Sequence, residues 1–175
     1  LELLWQVTAM IEYDKPFKVL IIGGDPDTDG EVDRLKHLGE LMGIGHALEF
    51  VGRLDQKFLP LYYSAADVCV VPSYYESFGL VALEAMACGT PVIACRVGGL
   101  PTVVQHGLTG YLHPWRCPEP FADSVEVILG SQKLRMSMGE AARERAVSMG
   151  WEKVAERVHR LYLSLAKRKR GNSPR

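Results

Sequence analysis

Pro72-Ser73-Tyr74-Tyr75-Glu76-Ser77-Phe78-Gly79-Leu80-Val81-Ala82-Leu83-Glu84-Ala85-Met86-Ala87 leads from an apolar run through a polar loop into a helical pattern. The preceding Asp67-Val68-Cys69-Val70-Val71 reads as a strand, so the stretch is a strand–loop–helix unit. A helix that starts at the carboxyl end of a strand presents unpaired N–H groups and the positive end of its dipole. Such a place suits a phosphate or diphosphate. Gly79 keeps the backbone approachable, and the amides of Gly79, Leu80 and Val81 are the candidate donors.

Working outward, short apolar runs alternate with longer helical patterns on both sides. Upstream are a helical run holding Leu1, Leu3, Leu4, Val7 and Ile11, a strand from Phe17 to Ile22 stopped by Gly23-Gly24, and a polar turn from Asp25 to Gly30. A helix from Glu31 to Met42, a strand from Ala47 to Val51 and a helix from Lys57 to Ala66 follow. Downstream come a strand from Pro91 to Cys95, the Gly98-Gly99 turn with a short helix to Gln105, a small strand at Tyr111-Leu112, and helices at Glu119–Leu129, Gln132–Met149 and Trp151–Lys167. This alternation predicts an α/β, Rossmann-like fold: a doubly wound parallel sheet with strands buried on both faces. In such sheets ligands bind beyond the carboxyl ends of the strands. Here those ends carry Gly23-Gly24, Val51-Gly52, Pro72 to Glu76, and Val97 to Gly99.

The 175 residues suit a single domain, with residues 1–166 ordered and a basic, disordered tail over 167–175. The chain opens without Met inside an apolar run, as expected of a piece of a longer protein whose first helix is cut. A net charge of −1 gives no general pull on nucleic acid, and no apolar run is long enough for a transmembrane segment. A solvated state is therefore expected for the basic tail, and a cytoplasmic setting for the protein. The four cysteines lack CxxC spacing, which points to reduced thiols rather than disulfides or a zinc site.

Glu76 and Glu84 stand eight positions apart. On a helix that step rises about 12 Å and turns roughly 80°. Paired glycosidase carboxylates sit only about 5–9.5 Å apart, so a hydrolase pair is disfavoured. Two alternatives stay open. The carboxylates bracket a phosphate site and accept hydroxyls at the two ends of a nucleoside diphosphate sugar, or Glu76 is a solvated loop residue and Glu84 a member of a surface salt bridge.

The run Val71 to Val81, continued by Glu84-Ala85-Met86-Ala87-Cys88-Gly89-Thr90-Pro91-Val92-Ile93-Ala94, closely resembles the signature of glycosyltransferase family 4. The flanks resemble the family in order: Ile21-Ile22-Gly23-Gly24, Phe50-Val51-Gly52, Tyr62 to Asp67, Val97 to Pro101, His106 to Leu112, and Trp151. The nearest flavour is the branch of sucrose synthases, sucrose-phosphate synthases and N-acetylglucosaminyl-inositol-phosphate synthases. The resemblance implies the C-terminal, donor-binding half of a retaining GT-B enzyme that needs no metal and no cofactor. It implies that Glu76 contacts donor-sugar hydroxyls as the catalytic-site residue and that Glu84 holds the ribose. By the same resemblance Ser77, Phe78, Gly79, Leu80 and Val81 belong to the sugar and diphosphate site. Gly23 and Gly24 would form the first glycine turn, Phe50 the nucleobase wall, and Gly52 with Arg53 the turn bounding the base. The donor would be a UDP-, ADP- or GDP-sugar, and the acceptor a sugar, polyol or lipid-linked glycan. Acceptor contacts and the Arg/Lys pair on the leaving diphosphate would come from outside this chain, with the protein peripheral to a membrane if its acceptor is lipid-linked.

Two other classes remain, a nucleotide-sugar epimerase and a non-catalytic nucleotide-sugar-binding module. His113-x3-Cys117 has loose metal spacing and Asp25, Asp27 and Asp29 mimic a calcium loop, but neither pattern is completed, and no metal site is expected. Trp5, Trp151, Tyr162 and the helical leucines read as packing residues, with the last helix exposed if its docking surface lies elsewhere.

Overall fold

The computed structural model describes residues 1–24 and 30–171, with side chains as far as residue 166. The elements run α1 (Glu2–Met10), β1 (Val19–Ile22), α2 (Gly30–Leu41), β2 (Leu48–Gly52), α3 (Leu59–Ala65), β3 (Cys69–Val71) and α4 (Leu80–Ala87). They continue with β4 (Val92–Cys95), α5 (Leu100–Val103), β5 (Gly110–His113), α6 (Pro118–Gly130), α7 (Gln132–Ser148) and α8 (Trp151–Gly171). The Asp25, Asp27 and Asp29 turn lies outside the described residues. The sequence-based division at residue 166 falls inside α8, and residues 172–175 are also outside the described ones.

The four apolar residues of β4 are all buried because helices cover both faces of the strand. Val92 and Ala94 join Ala82, Ala85 and Met86 of α4 and Ala142 and Ala146 of α7. Ile93 and Cys95 point the other way, to Leu3 and Val7 of α1 and to Phe121 and Ile128 of α6. Alternation with period two thus sends one strand's side chains into two separate cores, the doubly wound arrangement.

Among the described residues every strand pairing is parallel. The hydrogen bonding divides into a β1–β2 ribbon and a β3–β4–β5 sheet rather than running through one sheet. A cleft lies between the two, lined by Leu20 and Ile22 of β1, by Val68, Cys69 and Val70 around β3, and by Leu59, Tyr62 and Tyr63 of α3. This corrects the expectation of strands buried on both faces. Leu20 and Ile22 are exposed because their face of β1 lies along the cleft, whereas Ile21 packs with Leu4, Trp5, Leu35 and Ile44. Helix α1 bridges the parts, since Leu4 and Trp5 serve the β1 side while Leu3 and Val7 serve the β4 side.

Trp5 is fully buried and its Nε1–H donates to the Leu35 carbonyl at 2.9 Å. Trp151 and Tyr162 depart from the packing expectation: they are 83% and 67% exposed on α8, whose apolar side has no cover among the described residues. All four cysteines are free thiols. Among the described residues no helix is long and apolar enough to cross a membrane.

Candidate functional site

The loop leaving β3 turns into α4 at Gly79, whose φ of +99° places it in the left-handed region. Glu76 Oε1 accepts the Gly79 N–H at 3.1 Å. A carboxylate three residues before the N-cap residue Gly79 therefore takes one of the donors that the helix itself cannot pair. Gly79 N–H, one of the three amides expected to be free for a ligand, is thus occupied by Glu76. The Leu80 and Val81 amides follow in the first turn, where an α-helix supplies no partner, and both residues are exposed.

The loop leaving β4 supports that turn from below. Gly99 N–H donates to the Glu76 carbonyl at 3.0 Å. A Cβ on Gly98 would run into the same carbonyl oxygen, and one on Gly99 would lie 2.6 Å from the Ser77 oxygen. Backbone meets backbone here, and side chains on these glycines would push the Glu76–Phe78 segment out of place. Phe78 stays largely exposed beside it.

On the other side, Gly23 N–H donates to the Gly52 carbonyl at 2.8 Å and ties together the ends of β1 and β2. Gly23 and Arg53 line the same cleft of about 890 Å³ as Val81 and Glu84 of α4. That volume lies within the usual range for small-molecule sites. Glu84 is half-buried, and its Oε2 accepts the Tyr63 hydroxyl at 3.2 Å. Burial, followed by the neighbouring Cys69 and then Glu84, pushes the Tyr63 phenol well above its ordinary range, so it remains a proton donor. Burial likewise pushes the Cys69 thiol up to about 12, which leaves it protonated and unreactive.

Of the sequence-derived candidates, Gly23, Arg53, Val81 and Glu84 share the cleft wall. Gly52 supports it from behind through Gly23, and Gly24 follows with a φ of +70°. Glu76, Ser77, Phe78, Gly79 and Leu80 form the loop and the first residue of α4, next to Val81 but outside the cleft lining. Phe50 does not face the site: its ring packs edge-on to Trp5 at 6.0 Å with Lys36 Nζ 5.7 Å from its centroid. The β-strand period turns that side chain toward α1 and α2. Among the described residues Glu84 has no salt-bridge partner; its partner is a phenol, Tyr63, a contact that local spacing could not indicate. Among the described residues no cluster of three metal-ligating side chains forms, around His113 and Cys117 or elsewhere.

Residues 1–145 match the family described as glycosyl transferases group 1. The chain belongs to that family. It is 44% identical over 148 residues to D-inositol 3-phosphate glycosyltransferase of Corynebacterium jeikeium, covering 84% of this chain and 35% of that protein. It matches the structure of sucrose-phosphate synthase from Thermosynechococcus elongatus with a TM-score of 0.83 at 40% identity, over 95% of this chain and 42% of that one. Anabaena HepE in complex with UDP-glucose shares the fold, with a TM-score of 0.78 at 21% identity over 93% of this chain and 44% of that one. This glycosyl transferases group 1 chain therefore has the Rossmann-like α/β fold of GT-B glycosyltransferases and spans about a third of the length of the curated relatives it matches.

Proposed function

We propose that this chain is the donor-binding half of a retaining glycosyltransferase that moves a hexosyl group from a UDP-, ADP- or GDP-sugar to an acceptor hydroxyl. The observation that carries this reading is the first turn of α4: the helix gives the Leu80 and Val81 amides no partner there, and they lie along the chain between Glu76 on the preceding loop and Glu84 farther along the helix. The amides receive the diphosphate, Glu76 accepts hydroxyls of the sugar, and Glu84 accepts those of the ribose. Gly23, Gly24, Gly52 and Arg53 bound the nucleotide from the β1–β2 side. In the reaction the bond from the anomeric carbon to the diphosphate oxygen breaks, and the acceptor oxygen bonds to that carbon on the same face. The nucleoside diphosphate leaves, carrying the acceptor's proton. Helix amides meet the charge that develops on the leaving oxygens, so this reading needs neither a metal ion nor a cofactor.

The names of the relatives point to a phosphorylated polyol or sugar as acceptor, within the broader class of sugars, polyols and lipid-linked glycans. Acceptor contacts belong to parts of the protein outside this chain. The setting is cytoplasmic, at a membrane surface if the acceptor is lipid-linked. Family membership favours a transferase over an epimerase or a bare binding module.

Calorimetry of the complete protein with UDP-, ADP- and GDP-glucose tests the donor site. Binding of one of them is expected, together with an α-linked product by NMR and turnover unaffected by EDTA. If none of a wider panel of nucleotide sugars binds, the donor reading is overturned.

A further inference from the structure

We propose that Tyr63 is the positioning residue for Glu84, holding its carboxylate in the one orientation that receives the ribose of the donor. This rests on the donor-site reading above and extends it to a residue outside the signature.

Tyr63 lies in the last turn of α3 and is anchored at both ends. Its carbonyl accepts the Thr90 hydroxyl at 2.5 Å, and Thr90 is buried in the turn that follows α4, where its N–H donates to the Ala85 carbonyl at 3.0 Å. The α3 backbone is thereby tied to the end of the helix that carries Glu84. At the other end, the phenol donates to Glu84 Oε2 at 3.2 Å. The second carboxylate oxygen has no hydrogen-bond partner among the described residues, and Glu84 lines the cleft.

A glutamate has three side-chain torsions and loses most of that freedom when it binds a ligand. A tyrosine has two and is rigid once packed. By holding Oε2, Tyr63 takes the ordering cost of Glu84 before a nucleotide arrives and leaves the other oxygen for a hydroxyl. The phenol can do this at any working pH because burial keeps it protonated.

The test is calorimetry of the complete protein with UDP, ADP and GDP, followed by the 2′-deoxy and 3′-deoxy forms of the nucleotide that binds best. Tyr63→Phe removes only the hydroxyl. It is expected to weaken binding of the ribonucleotide roughly tenfold, as for loss of a hydrogen bond to a charged group. It should also narrow the preference for the ribonucleotide over its deoxy forms. In a double-mutant cycle, adding Tyr63→Phe to Glu84→Ala should cost almost nothing further. Thermal melts of the variants separate this from unfolding, since a packing role would weaken ribo and deoxy ligands in parallel. Unchanged discrimination in Tyr63→Phe, or additive effects in the cycle, would overturn the inference while leaving the donor site intact. Failure of the unaltered protein to bind any of the nucleotides would bring down the donor reading and this inference together.

Discussion

The main-chain N–H of Gly99 donates to the main-chain carbonyl of Glu76 at 3.0 Å, so the loop leaving β4 holds the loop leaving β3. The same stretch of Glu76 sends its carboxylate to Gly79 N–H and caps the start of α4. One residue is thus fixed through its backbone by one strand's loop and through its side chain by the adjoining helix. In the sugar-binding role proposed for Glu76, a carboxylate held in this way needs little reorganisation when a ligand arrives.

Gly98 lies at a φ of +51°, and a Cβ there would run into the Glu76 carbonyl. Gly98→Ala is expected to destabilise the fold by about 2–3 kcal/mol through strain and displacement of the loop. It should also weaken nucleotide-sugar binding in the complete protein. Urea denaturation and calorimetry check both effects; a variant equal to the parent in both would show that the two loops move independently.

Glu76→Ala removes the carboxylate proposed to meet the donor sugar and also the acceptor for the Gly79 N–H. In the complete protein, kcat is expected to fall by at least about a hundredfold, with a stability loss of about 1 kcal/mol from the cap. Glu84→Ala should instead act mainly through KM for the donor. Steady-state kinetics separate the two, and equal effects of both variants on kcat and KM would contradict the division of roles.

His113 ends β5, with its Nε2 2.7 Å from the Ser124 hydroxyl. Burial, then the nearby His106 and Arg96, hold its imidazole below the ordinary range, against a smaller opposing pull from Asp123. The unfolded chain therefore takes up the proton more readily than the folded one. Stability is full above the ordinary histidine pKa of about 6.5 and declines as pH falls from there through the lower folded value. Thermal melts between pH 7.5 and 5 should show a falling Tm, and His113→Gln should flatten that fall.

Trp5 joins α1 to α2 through packing and through its bond to the Leu35 carbonyl. Trp5→Ala is expected to cost about 3–5 kcal/mol, in line with other large-to-small core changes. Trp5→Phe keeps most of the volume but leaves the Leu35 carbonyl without its indole donor, and should cost about 1–3 kcal/mol. Denaturant midpoints measure both, and a smaller loss for the alanine variant would contradict the packing role.

Much of the fold is legible in the sequence because strands and helices carry local periods. The Val92-Ile93-Ala94-Cys95 run reads as a buried strand, and it is one. The helix that the sequence pattern predicts over Phe78 to Ala87 is present, but it starts two residues later, at Leu80, because Gly79 sits in the left-handed region and cannot be a helical residue there. Phe50 shows where local reading stops. Its place in a strand is evident, but the face it presents depends on which helices pack there, and those are α1 and α2. Trp151 shows the same limit from the other direction, because an aromatic at the head of a periodic helix is buried only if something covers it.

The sequence by itself determined the alternation of elements, the parallel α/β class, the helix start at the carboxyl edge of β3, and the two carboxylates on either side of it. These depend on residues within a turn or two of one another, where propensity, capping and period act directly. Tertiary structure alone decided that the sheet hydrogen bonding parts between β1 and β3, that Gly98 and Gly99 are the seat of Glu76, and that Tyr63 meets Glu84. Each of these joins segments far apart along the chain, and their approach is set by how the cores around β1 and β4 pack, which no local pattern encodes.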